Sequence, residues 1–312
     1  SMILHIIPCE LIEKNGLKLK EILIEISNRW QLSEKFKNWL ELNKFYNTLV
    51  DRIVPGFPKN DIDFYEKGLP FKDKLIVTCE PFFLWVIEGS KDLIEIFPAD
   101  KLKKINVILV DDLAVYRTRK VRILNGCHTT MVPGGLLNKT STVSDALNND
   151  FLKSFVTETL FEEIIPSIDF DENELKNYAT SVLERFSNPF IIHQLESIAL
   201  NSISKFRVRV LPSILSYLKK EGKAPKNLSF AMASLIYYYC KEISQHSYEL
   251  NDEPSNIEFF KKVWEIESTK RVTEETLSKS SLWGQNLAEI KLLKDKVNIA
   301  LEAIHSCYKI DV

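Results

Sequence analysis

Glycine is scarce in this chain, with 9 in 312 residues. The phosphate-cradling pattern G-x-G-x-x-G, which would follow a strand and open a helix, is absent. Gly134-Gly135 has neither that spacing nor a strand before it. The scarcity favours helices over a Gly-rich nucleotide fold. Cysteine is sparse too, and its five positions (Cys9, Cys79, Cys127, Cys240, Cys307) are scattered, odd in number and without a CxxC. A disulfide frame and a zinc site are excluded on that pattern, which predicts reduced thiols in a cytoplasmic protein. The histidines are isolated and form no H-x-x-x-H, so no metal is expected. Charge of one sign is not in excess: 41 Lys and Arg face 43 Asp and Glu. That balance argues against a nucleic-acid footprint. No uncharged apolar run reaches membrane-spanning length, and residues 2–7 are too short for a signal peptide. What remains is an ordinary globular composition, 45% hydrophobic and 27% charged, enough for one large or two modest domains.

The most informative stretch runs from Tyr116 to Thr130. It holds a lysine, four residues, an asparagine, two residues and a histidine. On an α-helix at about 100° per residue, Asn125 lies about 140° round from Lys120, and His128 about 80° round. All three side chains can converge on one pocket packed by Val121, Ile123 and Leu124. The combination suits carbonyl chemistry. A buried lysine can trade a proton near neutral pH. An asparagine amide can donate to a developing oxyanion. A histidine can orient a hydroxyl or relay the proton. Spacing alone favours a plain amphipathic helix with a surface lysine, a capping asparagine and a satisfied histidine.

Lys-x4-Asn-x2-His with Leu124-Asn125-Gly126 and His128 inside it resembles the signature of the polyol-specific long-chain dehydrogenases. This is the mannitol dehydrogenase family, which also contains the uronate reductases. The resemblance implies a metal-independent hydride transfer with Lys120 as general acid/base. Asn125 would help hold the oxyanion, and His128 would bind substrate. A second motif, Asn47-x-x-Val50-Asp51-Arg52-Ile53-x-Pro55, implies that Asn47 is the other oxyanion residue and brings Arg52 into the substrate set. Glu80-Pro81-Phe82 with Leu84 to Gly89 resembles the uronate reductase branch. Pro8 to Gly16 resembles the turn of its tagaturonate reductases, with Glu10 a weak candidate for cofactor contact. The family's "NP-I" segment and its Ser-Lys segment, here Ser204-Lys205, imply His193 and Lys205 in the pocket, His193 standing where polyol dehydrogenases favour arginine. A carboxylate substrate would want such cations. The implied reaction is NAD-dependent reduction of a keto-hexuronate, tagaturonate to altronate. Fructuronate reduction and mannitol or mannitol-phosphate oxidation are the near alternatives. A non-catalytic helical interaction module is the alternative of another class. The implied partner is a small sugar acid, with no nucleic acid and no membrane; oligomeric state is open.

The expected fold is mainly α: a helical substrate domain of the 6-phosphogluconate dehydrogenase C-terminal type with a small α/β remnant in front. Residues 1–56 are assigned to the remnant of the dinucleotide-binding domain and 57–312 to the substrate domain. With the Gly-rich turn missing and Ser1 ahead of Met2 reading as a tag residue, the NAD site is expected to be largely missing and the chain inactive. Strands are predicted at residues 2–7, at 75–79 and within 105–112, the last two paired. Helices are predicted over 17–31, 33–42 with Ser33 as N-cap, 143–165, 171–186 with Asp171 and Glu174 placed as a capping box, and 189–201, with an extended basic segment at 202–209 in which Arg207 and Arg209 are expected to pair with acidic neighbours.

Overall fold

The computed structural model describes residues 2–59, 61–89, 91–97, 101, 103–240 and 250–309. The chain divides into two compact units, Ser1–Arg117 and Thr118–Val312. In the first unit, strand β1 (His5–Ile6) pairs in parallel with β2 (Lys44–Phe45). Parallel pairing demands a crossover, supplied by helices α1 (Asn15–Arg29) and α2 (Glu34–Leu42). Ser33 caps α2 by accepting from the Phe36 N–H, as its position before the helix predicts. A second sheet follows, in the order β3 (Asn47–Asp51), β4 (Leu84–Glu88), β5 (Val107–Val110). Strand β3 runs antiparallel to β4, and β5 runs parallel to it. Along β4 alternate side chains face opposite sides. Leu84 and Val86 pack with Leu113, while Ile87 packs with Tyr46, Leu93 and Val107. Both faces are covered, which is why this strand reads as one apolar run. The unit also carries α3 (Ile62–Glu66), α4 (Lys91–Ile96) and, at the division, α5 (Ala114–Arg119).

The expectation of a mainly α chain with a small α/β remnant does not hold. Among the described residues, five strands in two sheets build the first unit. Strands β1 and β5 fall within the stretches expected at 2–7 and 105–112, whereas β2 and β4 escaped the sequence reading because they span only two to five residues between helices and loops. The strand expected at 75–79 is absent: Leu75 is 86% exposed and Val77 62%, and only Thr78 bridges, to Gly56. The true partner of β5 is β4, further along the chain.

The second unit is helical among its described residues. A π-helical turn (Lys120–Asn125) leads into α6 (Gly126–Leu137), in which every residue is buried. Around α6 stand α7 (Val143–Asn148), α8 (Asp150–Glu158), a second π-turn (Thr159–Ile164), a 3-10 turn (Ile165–Ser167) and α9 (Glu172–Phe186). Next come α10 (Leu195–Ala199), α11 (Ser202–Arg209), α12 (Leu211–Glu221) and α13 (Lys226–Tyr238). The last are α14 (Pro254–Val263), α15 (Thr269–Ser278), α16 (Ser280–Trp283) and α17 (Lys291–Lys309). Helix α13 packs against both α6 and α17. Its N-terminus is capped by Glu163, whose carboxylate accepts from the Asn227 and Leu228 N–H groups at 2.7 Å each. Asp171 caps α9 through the Glu174 N–H, as expected. Two expectations fail here. Residues 188–194 are not helical, and the helix is confined to Leu195–Ala199. Residues 202–209 form a helix where an extended segment was expected.

One glycine fixes how the first unit closes. A Cβ at Gly16 would stand 2.3 Å from the Tyr46 carbonyl oxygen, so α1 can lie this close to the β2–β3 chain only with glycine there. Gly16→Ala forces a backbone shift, and overpacking of this kind costs about 1–3 kcal/mol. Urea unfolding should show that loss for the first unit; an unchanged midpoint would mean α1 adjusts freely.

Candidate active site

Each unit carries part of the predicted set, and each part is described within its own unit. In the first, Asn47 opens β3 just past the carboxyl end of β2. Its Oδ1 accepts from the Leu17 N–H at 3.2 Å, and its Nδ2 donates to Glu88 Oε2 at 2.6 Å. An amide nitrogen has two donors; the second N–H has no partner among the described residues. Glu10 lies exposed in the turn after β1. That turn is pinned by the buried Asn15, whose Nδ2 donates to the Pro8 and Glu10 carbonyls, each at 3.1 Å. Thr48 joins the same knot, its hydroxyl donating to the Pro8 carbonyl. Arg52 is half-buried. Its Nε donates to the Glu80 carbonyl at 2.9 Å, and its guanidinium lies over the Phe83 ring at 5.5 Å. The Glu80 carboxylate accepts from the Ile53 N–H at 2.6 Å.

In the second unit, Lys120 is the first residue of the π-turn and is buried at 9% exposure; Asn125 is the last. A π-turn closes i→i+5 hydrogen bonds, so residues five apart come to nearly the same side. The α-helical estimate therefore overstated the angle between Lys120 and Asn125. The amide of Asn125 has no hydrogen-bond partner among the described residues, while its carbonyl accepts from the Thr129 hydroxyl at 2.8 Å. The turn is held by Arg122, whose guanidinium donates to the Ser213 hydroxyl at 2.5 Å and the Ser167 hydroxyl at 2.8 Å. Burial lowers the Arg122 pKa to about 10. Gly126 then lets α11 approach: a Cβ there would meet the Arg209 carbonyl oxygen at 3.1 Å.

His128 is buried on α6 and stacks on Phe186 at 4.0 Å between ring centres. His193 meets it edge-on at 5.0 Å. His128 Nε2 and His193 Nδ1 are buried and without a hydrogen-bond partner among the described residues. Buried polar atoms left open in this way mark a place where a ligand completes the bonding. Burial, together with His193, Arg209, Arg185 and Lys205, holds the His128 pKa well below its ordinary value. Burial and Lys205 bring His193 down to about 4. Lys205 donates to the Ile198 carbonyl at 2.9 Å, and burial beside Arg209 brings it down to about 8, against the pull of Asp252.

Lys205 and Arg209 stand one helical turn apart on α11 and so share a face, whereas Arg207 points elsewhere, to the Ser281 carbonyl at 3.4 Å. Arg209 was expected to pair with an acidic neighbour. Instead its guanidinium meets the Thr129 hydroxyl at 3.5 Å, and burial lowers its pKa. Arg185, Phe186 and Arg209 were missed as site residues. Arg185-Phe186 stands one residue before the Asn188-Pro189 motif, a signal that proximity alone could have supplied. Among the described residues no group of three His, Cys, Asp or Glu side chains could hold a metal ion.

The family model of the mannitol dehydrogenase C-terminal domain matches residues 112–305, and that of the mannitol dehydrogenase Rossmann domain matches residues 2–97. The chain belongs to the mannitol dehydrogenase family. It is 43% identical over 304 residues to the altronate oxidoreductase of Bacillus subtilis, across 96% of this chain and 62% of that protein. Against the altronate oxidoreductase of Yersinia enterocolitica the figures are 41% over 306 residues, 96% and 63%. The chain therefore spans under two thirds of the length of these curated relatives. Among solved structures it is similar to the Pseudomonas fluorescens mannitol 2-dehydrogenase in ternary complex with NAD and D-mannitol, with a TM-score of 0.74 at 21% identity. That likeness covers 96% of this chain and 60% of the other. A D-sorbitol dehydrogenase in substrate-free form gives 0.77 at 20% identity over the same shares of the two chains. At such identity these two likenesses speak for the fold. The Rossmann-domain match over residues 2–97 overturns the mainly helical fragment, and with it the grounds for a largely missing NAD site and an inactive chain.

The two histidines are neutral at pH 7, and the sign of their effect follows. Unfolded histidine binds a proton near pH 6.5, and the folded pair does so only at lower pH, so their contribution to stability is lost as pH falls from about 6.5 toward 4. Proton NMR of the histidine rings should show His193 titrating at about 4 and His128 well below the ordinary histidine range. Either ring titrating near 6.5 would mean the pocket is wet.

Proposed function

We infer that this protein reduces a keto-hexuronate to a hexonate with a nicotinamide cofactor, tagaturonate to altronate. The observation that carries this reading is the pair of buried cations Lys205 and Arg209 beside two neutral histidines with open ring nitrogens. A polyol brings no charge to this pair. A sugar acid brings its own carboxylate, and a buried carboxylate needs such partners. The relatives named altronate oxidoreductase point the same way.

The family implies NAD. Ligands of parallel α/β sheets bind beyond the carboxyl ends of the strands. Glu10 follows the carboxyl end of β1, the first strand of the parallel pair, and is exposed with an acceptor carboxylate. It fits a sugar hydroxyl of a nucleotide; the turn it stands in carries no Gly-rich seat for the phosphates. When bound, the cofactor supplies the hydride. The chain's own residues do the rest. The Lys120 ammonium gives its proton to the carbonyl oxygen as that oxygen gains charge, and is left as a neutral amine. The open amide N–H of Asn125 donates to the same oxygen, the kind of stabilisation that is strongest as charge develops; in the first unit, Asn47 keeps one amide N–H for a substrate oxygen. His128 and His193, neutral, exchange hydrogen bonds with substrate hydroxyls. Lys205 holds the carboxylate. Arg52, bound to the Glu80 carbonyl, keeps guanidinium donors for the substrate chain.

The test is NADH oxidation by the purified protein with tagaturonate, fructuronate and fructose. Turnover with tagaturonate well above the other two is expected, and none with any keto-hexuronate would end this reading. Lys120→Met should lower kcat about 10²–10⁴-fold, the usual share of a positioned acid/base; a loss below tenfold would remove Lys120 from the chemistry.

Charge recognition has its own test. Lys205→Met should weaken handling of the uronate by roughly 2–4 kcal/mol, the range for stranding one member of a buried charge pair, with a much smaller loss on an uncharged keto-sugar. Lys205 loses its proton at about pH 8, so KM for the uronate should rise above that pH while KM for the uncharged sugar stays level. Equal effects on both substrates would assign Lys205 to common hydroxyls or to the fold.

A further inference from the structure

The hydrogen bonds around Asn47 admit one orientation of its amide. The Leu17 N–H is a donor, so the atom facing it must be Oδ1; the Glu88 carboxylate is an acceptor, so the atom facing it must be Nδ2. Glu88 is in turn held at its other oxygen, where Oε1 accepts from the Leu113 N–H at 3.1 Å. Strand pairing places the two residues opposite each other, Asn47 across from Glu88 on β3 and β4. The carboxylate thus leaves Asn47 with one donor pointing away from the network and free.

We propose that Glu88 is a positioning residue: it locks the Asn47 amide so that a single N–H is presented to a substrate oxygen. The proposal rests on the function inferred above, and adds a residue to which that function assigned nothing. A hydrogen bond to a charged acceptor is shorter and stronger than one between neutral groups, and the 2.6 Å separation fits one. The donor is therefore pre-oriented before substrate arrives, which is where electrostatic catalysis draws its advantage. A glutamine in place of Glu88 would have the same shape and one acceptor oxygen fewer. With its oxygen turned to Asn47, the glutamine would set its NH₂ against the Leu113 N–H. With its oxygen turned to Leu113, it would set its NH₂ against the Asn47 NH₂. Reversing Asn47 to relieve that contact would set the Asn47 NH₂ against the Leu17 N–H. Every arrangement leaves two donors opposed, and Asn47 loses its fixed orientation.

The test is a double-mutant cycle of Glu88→Gln and Asn47→Ala in the whole protein, with keto-uronate reduction as readout. Alone, Glu88→Gln should lower kcat about 10-fold to 100-fold, somewhat less than outright loss of an oxyanion donor, with KM for the sugar acid changed under about threefold. In the Asn47→Ala background the same change should cost almost nothing, since interacting residues fail to add. Additive losses would mean Glu88 acts on the fold or through another residue, and would overturn the proposal. Glu88→Asp, which keeps both acceptor oxygens, should restore part of kcat. A readout free of activity separates this from the parent reading: the Asn47 side-chain amide protons should be two inequivalent, slowly rotating signals in the parent protein. Those signals should merge or shift in Glu88→Gln. No keto-uronate turnover by the parent protein, with the amide signals responding as described, would sink the substrate reading and leave the positioning intact. Unmoved amide signals would sink the positioning whatever the activity.

Discussion

The second unit depends on one departure from regular helix winding. Between Lys120 and Asn125 the backbone closes i→i+5 hydrogen bonds. In an α-helix these two side chains would point well apart. In the π-turn they come to nearly the same side, a charged donor and a neutral donor one turn apart. Such turns trade regular hydrogen bonding for the placement of side chains, and the surroundings must hold them. Arg122 does this from inside the turn, tying it through Ser213 and Ser167 to α12 and to the 3-10 turn. The partners are hydroxyls, so the guanidinium is satisfied without a carboxylate. That leaves the neighbourhood positive, which suits a site for an anion.

The surplus of positive charge runs through the rest of the pocket. Lys205, Arg209 and Arg185 all act on His128 in the direction that keeps it neutral. A neutral imidazole offers one donor and one acceptor, and a sugar hydroxyl uses both. A protonated His128 would offer only donors and add a further charge to an already cationic cavity. The cations therefore help set the hydrogen-bonding character of the histidine. Gly126 is part of the same arrangement, since it is the residue that admits α11, and with it Lys205 and Arg209, close to the start of α6.

Local chemistry in the sequence was legible where a single residue type forces a single structure. Ser33 and Asp171 were read as helix caps because hydroxyl and carboxylate oxygens suit free N–H groups, and both cap as expected. The strand within 105–112 was legible from its branched apolar run. The family was legible because its motifs are long and specific. Less visible was anything decided by tertiary contact. Residues 75–79 have strand propensity, yet Leu75 and Val77 lie exposed, because the sheet position next to β5 is taken by 84–88. Residues 202–209 alternate cation and apolar side chains as a strand would, but packing of Ile203 and Phe206 into the core winds them as a helix. The π-turn has no signature at a fixed 100° per residue, so the angle between Lys120 and Asn125 was read too wide. The pairing of the strands into two sheets was lost because a two-residue strand such as β2 carries no period at all.

Helical winding at 202–209 changes the logic of charge recognition. In an extended segment Lys205, Arg207 and Arg209 would share a side, and three like charges would crowd one carboxylate. On α11, residues 205 and 209 lie about 40° apart and 207 about 200° from 205. Arg207 is thereby removed to the Ser281 carbonyl, beside Gly284. The two cations left on the pocket side differ in kind. Arg209 stays charged at any ordinary pH, while Lys205, at about 8, sits close to giving up its proton. Its proximity to Arg209 is one of the causes. The helix therefore pairs a permanent charge with a labile one. Burial is the larger cause of that lability and Arg209 the smaller, so an anion seated against Arg209 would relieve only the second. In the reading proposed above, binding of a sugar acid and protonation of Lys205 support each other.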